Sequence, residues 1–127
     1  MTPNEALAEL LDLSAQVSDV AILGGSGVVL ASAGTVERGE QLARLAADLV
    51  AAASDVRPGA ELSRIEVGCA GAHVFLVRDA GRTAIATTDA DAIAGLVIYD
   101  LRTMLGRLDA EPVAARPRRK KKESDDA

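Results

Sequence analysis

The chain has 127 residues, is 49% hydrophobic, 26% charged and 2% aromatic, and carries a formal net charge of −5 at pH 7. That length bounds one domain plus tails, the composition is globular rather than disordered, and a core of this size closes without disulfides or metal. One cysteine, Cys69, rules out an intramolecular disulfide and points to a reducing compartment, while no apolar run approaches the ~20 residues of a membrane span.

The N-terminus lacks the basic, apolar, small-residue succession of a signal peptide, so a cytoplasmic location is expected. Residues 1–108 carry eight Arg, no Lys and fourteen Asp plus Glu, a net of −6. An acidic body argues against nucleic acid as the partner of the folded domain. Abundant Ala, with Arg in place of Lys in the body, hints at a GC-rich bacterial genome.

Thr2-Pro3-Asn4-Glu5 reads as a helix start: Thr2 as N-cap, Pro3 in the first turn, Glu5 closing a capping box. Leu7, Leu10, Leu11, Ala15 and Val17 give that helix its apolar face, and Ser18-Asp19 ends it. Val20–Leu23 follows as a short strand. Gly24-Gly25-Ser26-Gly27 then turns the chain into a returning strand, Val28–Ser32. The glycines invite a phosphate-loop reading, but no GxxxxGK[ST] pattern and no following helix are present, which favours a plain hairpin turn.

The second helix is expected over residues 37–56. At about 100° per residue, Leu42, Leu45, Leu49, Ala53 and Val56 form one stripe, and Gln41, Arg44, Asp48 and Asp55 a polar one. A third stripe of small residues, Ala43, Ala47, Val50 and Ser54, is left over once the leucines have packed on a sheet. Small residues let another backbone approach, so this stripe predicts a second interface, most simply with another copy of the chain. The competing reading is that Ala is simply common here and favours helices.

Arg57-Pro58-Gly59 breaks the helix. Leu62–Gly68 alternates Ile65 and Val67 with Leu62, Arg64 and Glu66, an edge strand with one charged face that needs a partner or a cover. Two apolar runs, Val74–Val77 and Thr83–Thr87, flank Asp79-Ala80-Gly81-Arg82 and read as a hairpin. Val74 and Leu76 occupy one face of its first strand and Phe75 and Val77 the other, which suits a central strand covered on both sides. Asp89 and Asp91 read as the start of a last helix, with Ile93, Val97, Leu101, Met104 and Leu108 along one side. This hairpin and helix, which hold the only Phe and the only Tyr (Phe75 and Tyr99), are expected to centre the core.

Chemistry-bearing residues are sparse. His73, the sole histidine, has no companion at metal-ligand spacing and reads as a polar residue at a strand end. Cys69 has no base beside it in sequence. No catalytic, cofactor-binding or metal-binding residues are assigned, and no cofactor is implied. Residues 109–127 contain Arg116, Arg118, Arg119 and Lys120 to Lys122, then Glu123, Asp125 and Asp126. This segment is expected to be a disordered charged tail able to touch anionic surfaces.

The order α-β-β-α-β-β-β-α with hairpin links predicts a mainly antiparallel sheet with helices on its faces. This pattern resembles the Roadblock/dynein light chain family in three places. VAILGGSGVVLAS (Val20–Ser32) is similar to the family's opening hairpin, although Ser26-Gly27 replaces its common Asp-Gly pair. Val74–Arg78 with Thr83–Thr87 is similar to its central hairpin. Ala94–Arg102, AGLVIYDLR, is similar to its last-helix signature, with Gly95 assigned to close approach of the backbone to the sheet. The resemblance covers about residues 4–108. It implies an α/β (α+β) profilin-like fold with a five-stranded antiparallel sheet, and a homodimer through the second helix and third strand that merges two sheets. It also implies partnership with a small Ras-like GTPase.

The leading expectation that the resemblance implies is a non-enzymatic homodimeric platform that biases the nucleotide cycle of such a GTPase. The dimer interface is assigned to Ala43, Ala47, Val50, Ser54, Leu62, Arg64 and Glu66, and partner contact to Gln41, Arg44 and Asp48. A structural adaptor without effect on hydrolysis is the alternative. A small-ligand sensor is a third reading, weakened by the shortage of aromatics to line a pocket.

Overall fold

The structure is a computed structural model and describes residues 1–109. Its elements are α1 (Pro3–Leu13), β1 (Val17–Leu23), β2 (Val29–Ser32), α2 (Val36–Ser54), β3 (Arg64–Cys69), β4 (Ala72–Asp79), β5 (Arg82–Asp89) and α3 (Ala94–Gly106). The strands form one antiparallel sheet in the order β2-β1-β5-β4-β3. The predicted element order and sheet are present.

Two apolar layers follow from strand alternation. On one face Val20, Ile22, Phe75, Val77, Ala84 and Ala86 meet Leu7 and Leu10 of α1 and Val97, Leu101 and Met104 of α3. On the other, Ala21, Leu23, Leu76 and Ile85 meet Leu42 and Ala46 of α2. The two faces of β4 divide as its sequence predicts, and Leu76 and Val77 are both fully buried. Helices α1 and α3 run antiparallel. The Met1 ammonium donates to the Arg107 carbonyl and Asp109, and at the opposite end the Ile93 N–H donates to Gln16 Oε1.

The β4–β5 link is a two-residue turn with Ala80 at φ 52° and Gly81 at φ 78°, positive at both central positions as a type I′ hairpin turn requires. The capping box of α1 forms as predicted, with Thr2 Oγ1 accepting from the Glu5 N–H and Glu5 Oε1 accepting from the Thr2 N–H.

Several boundaries differ from the sequence reading. Helix α1 ends at Leu13 rather than near Ser18, because Ser14 is extended and β1 already starts at Val17. Within α1 the buried side is Ala6, Leu7 and Leu10, and Leu11, expected on the apolar face, is exposed. Helix α3 starts at Ala94 with Ile93 as an uncapped N-cap, and Asp89 is instead the last residue of β5. Ile93 and Tyr99 are exposed, so the core around α3 rests on Val97, Ile98, Leu101, Met104 and Leu105. A Cβ at Gly95 would meet nothing within 4 Å, so this glycine does not serve close approach to the sheet. The predicted tail beyond residue 109 lies outside the described residues.

Candidate functional site

Helix α2 is the element on which the predicted interfaces depend. Thr35 caps its start, its Oγ1 accepting from the Arg38 N–H at 3.1 Å. The first turns are then tied down at two points. Gly39 lies so close to β2 that a Cβ there would sit 2.5 Å from Ser32 Oγ and 2.9 Å from Ser32 Cβ. Beside it, Arg38 Nη2 donates to Asp19 Oδ2 at 2.9 Å, and Thr87 Oγ1 donates to the same oxygen at 2.8 Å. Arg38 Nη1 also reaches Gln41 Oε1 at 3.1 Å. Hydrogen bonds from Arg38 and then Thr87 hold the Asp19 carboxyl below its ordinary value, against a small opposing effect of burial, and Asp19 raises Arg38 in return. The cluster joins α2, β1 and β5 at one end of the sheet.

The helix packs over β2, β1 and β5. Leu42 and Ala46 sit at the centre of the contact, with Leu45, Leu49, Val50 and Ala43 only partly buried around them. The contact line thus falls between the predicted leucine and small-residue stripes, which become the two flanks of the helix. Arg38, on the leucine flank, donates to Asp19 of β1 on the side where Asp19 also accepts from Thr87 of β5, and Gly39 on the other flank meets Ser32 of β2, so the leucine flank faces the β4–β3 half of the sheet. Ala43 and Ala47 face the other way, towards β2 and the β1–β2 turn.

β3 is an edge strand, as predicted, and packs chiefly against β4. Its partners set its faces: Ile65 lies beside Leu76 and Val67 beside Val74, on the α2 side, while Arg64 and Glu66 lie beside Val77 and Phe75 on the opposite side. Arg64 and Glu66 pair with each other at 3.4 Å in solvent, and Ile65 and Val67 stay half-buried.

The structure therefore does not gather the predicted interface residues on one surface. Ala43, Ala47, Val50 and Ser54 lie on the side of α2 remote from β3. Arg64 and Glu66 lie on the far face of the sheet, and Leu62 precedes the strand. Ser54 Oγ donates back to the Val50 carbonyl at 2.8 Å. What does lie towards β3 on the same face of the sheet is the leucine flank: Leu45 and Leu49 pack on the same apolar layer as Ile65, with Ala52 exposed beside them on the helix. The signal for this existed in the leucine and small-residue stripes taken together, whose combined arc is wider than one sheet contact uses. Gln41, Arg44 and Asp48, the predicted partner contacts, lie exposed on the outward side of α2.

Among the described residues no group of three or more His, Cys, Asp or Glu is placed to hold a metal, and no helix is long and apolar enough to cross a membrane. His73 Nε2 lies 3.1 Å from the Ala90 carbonyl, bridging β4 to the loop before α3. Cys69 is exposed at the end of β3.

No protein-family model and no curated protein matches the sequence. Solved structures do match in shape. A Roadblock/LC7 domain from Streptomyces avermitilis superposes with a TM-score of 0.70 at 16% identity, over 81% of this chain and 91% of that one. The gliding protein MglB of Thermus thermophilus gives 0.63 at 18% identity, over 80% and 84%. Profilin II of Acanthamoeba castellanii gives 0.51 at 18%, over 80% and 91%. With its antiparallel order β2-β1-β5-β4-β3, α2 on one face and α1 with α3 on the other, the chain has the profilin-like fold of the Roadblock/LC7 domains.

Proposed function

We propose that the chain is a non-enzymatic, dimeric roadblock-type platform that binds a small Ras-like GTPase and biases its nucleotide cycle. The observation that carries this reading is the β3 edge, uncovered among the described residues, on the side towards the leucine flank of α2. An unpaired edge next to half-buried Ile65, Val67 and Leu49 is a liability in a monomer and an interface in a dimer. Two copies joined there continue one sheet into the next and pack their α2 helices along the leucine flanks. This keeps the interface elements read from the sequence, α2 and β3, and moves the α2 contribution from the small-residue stripe to the leucines. Gln41, Arg44 and Asp48 stay outward and are the proposed contacts for the GTPase. Self-association also has a precedent in shape, since an MglB with a tetrameric arrangement is among the structural neighbours.

The test is solution mass by light scattering for wild type, Ala52→Arg and Ala47→Arg. Both alanines are exposed on α2, so neither substitution disturbs the core. A dimeric wild type and Ala47→Arg with a monomeric Ala52→Arg is the expected result. A monomeric wild type overturns the dimeric platform. A dimer broken only by Ala47→Arg returns the interface to the small-residue flank. Nucleotide release and hydrolysis by a Ras-like GTPase, followed with and without the dimer, then separate a regulator from a pure adaptor. The adaptor reading is the second choice, and an unchanged nucleotide cycle in a stable complex selects it.

A further inference from the structure

The small-residue flank of α2 walls a groove on the side of the helix away from β3. Its outer part, about 770 Å³, lies between β2 and α2, with Val28, Val29, Val36 and Ala43 along it and Glu40 and Arg44 at the mouth. Past Ala43 and Gly27 it continues into a depression of about 310 Å³ beneath the β1–β2 turn, bounded by Ser26, Ala47, Val50, Arg78 and Thr83. Val28 and Val36 are 59% and 76% exposed, an apolar lip with no cover among the described residues.

Three features define what fits. Among the described residues β2 is the free edge of the sheet opposite β3. Ala33 donates to the Val20 carbonyl and Ala31 lies opposite Ile22, so Ser32 between them turns its backbone groups away from β1. The inner end is cationic: among the described residues the half-buried Arg78 guanidinium has no hydrogen-bond or ion-pair partner. Finally, the turn beside it has N–H groups to spare. Gly24 donates to Val28 and Gly27 to Gly24, while the Gly25 and Ser26 N–H groups have no acceptor among the described residues. The walls between these points are apolar and are kept low by Ala43, Ala46 and Ala47.

We propose that this groove binds an extended segment of a partner protein that carries a carboxylate at one end. Its backbone follows the β2 edge, small apolar side chains rest against Ala43 and Ala47, and the carboxylate is held by Arg78 and the turn N–H groups. The acidic end lies by Arg78, among the described residues the one charged residue lining the inner depression, while Glu40 and Arg44 at the mouth carry opposite charges. This site is complete in one copy of the chain, so it does not depend on the dimer.

The probe is the peptide acetyl-Thr-Val-Thr-Val-Glu with a free carboxyl end, compared with a neutral counterpart carrying Gln and an amide end. Both are titrated into the full chain and followed by amide-resolved NMR. Saturable shifts at Ser26, Gly27, Ser32, Ala43 and Ala47 are expected with the acidic peptide. Arg78→Gln should weaken binding about tenfold, and Ala47→Arg should abolish it while leaving the light-scattering mass unchanged. Equal shifts with the neutral peptide, shifts confined to the β3 edge, or no saturation at millimolar peptide would each overturn the proposal. Peptide binding retained by Ala47→Arg would likewise overturn it, whereas a change in mass together with lost peptide binding would strike the dimer reading.

Discussion

Asp19 shows how one side chain organises an element far from it in sequence. It accepts from Arg38 on α2 and Thr87 on β5, so the start of the helix and the central strand share one oxygen. Asp19→Asn should cost about 1 kcal/mol in urea denaturation at neutral pH, the net worth of a hydrogen bond in a half-exposed setting. The folded carboxyl titrates below its ordinary value, so its stabilisation is complete above the unfolded pKa of about 3.9 and fades as pH falls through the lower folded value. The difference in melting temperature between wild type and Asp19→Asn should therefore shrink on acidification below about pH 4; an unchanged difference would mean the carboxylate charge is irrelevant to the clamp. Ala80 is a second such residue. At φ 52° it occupies a conformation that Asn adopts more readily. Ala80→Asn should raise stability by a few tenths of a kcal/mol to about 1 kcal/mol in the same assay.

Helix α2 is governed by two opposing demands. Its glycine at position 39 lowers helix propensity by about 1 kcal/mol relative to Ala, yet a Cβ there would meet the Ser32 Cβ at 2.9 Å, an atom fixed by the β2 backbone. Overpacking of this kind costs about 1–3 kcal/mol, so the clash wins and Gly39→Ala should be net destabilising. Gly106 is a control, since nothing lies within 4 Å of a Cβ there and it also ends a helix; Gly106→Ala should be neutral or stabilising by chemical denaturation. Equal gains at both sites would show that α2 shifts outward freely, which would weaken the case for a fixed groove beside it. The flanks of α2 then divide the labour: leucines towards β3, alanines towards β2.

At the scale of the molecule, the sheet has two edges that are free among the described residues and differ in cover. β3 packs chiefly against β4, while β2 is overlain by α1 on one face and α2 on the other. A long bare edge invites a second sheet, and a short edge beside a helix invites a single strand. The proposed dimer and the proposed peptide groove use opposite ends, so both can be occupied at once. If the dimer forms as proposed, its melting temperature should rise with protein concentration, and Ala52→Arg should remove that dependence. A wild-type melting temperature independent of concentration would count against an interface that stabilises the fold.

The amino-acid sequence by itself determined the order of elements, the antiparallel hairpins and the two-sided character of β4. Those are local signals: the Thr2 capping box, glycine-bearing turns, and alternation of Val74, Phe75, Leu76 and Val77. It also determined that α2 carries more apolar surface than one sheet contact uses. Only the tertiary structure decided which part is spare. A helical wheel sets relative angles, but the contact line is chosen by where Gly39 meets Ser32 and where Arg38 reaches Asp19, contacts between residues 7 and 19 positions apart. Those two restraints place Leu42 and Ala46 downwards, and so put the small residues on the β2 side and the leucines on the β3 side. The start of α3 escaped the sequence reading for a similar reason: Asp89 has the chemistry of a cap, but pairing with Ala72 keeps it in the sheet.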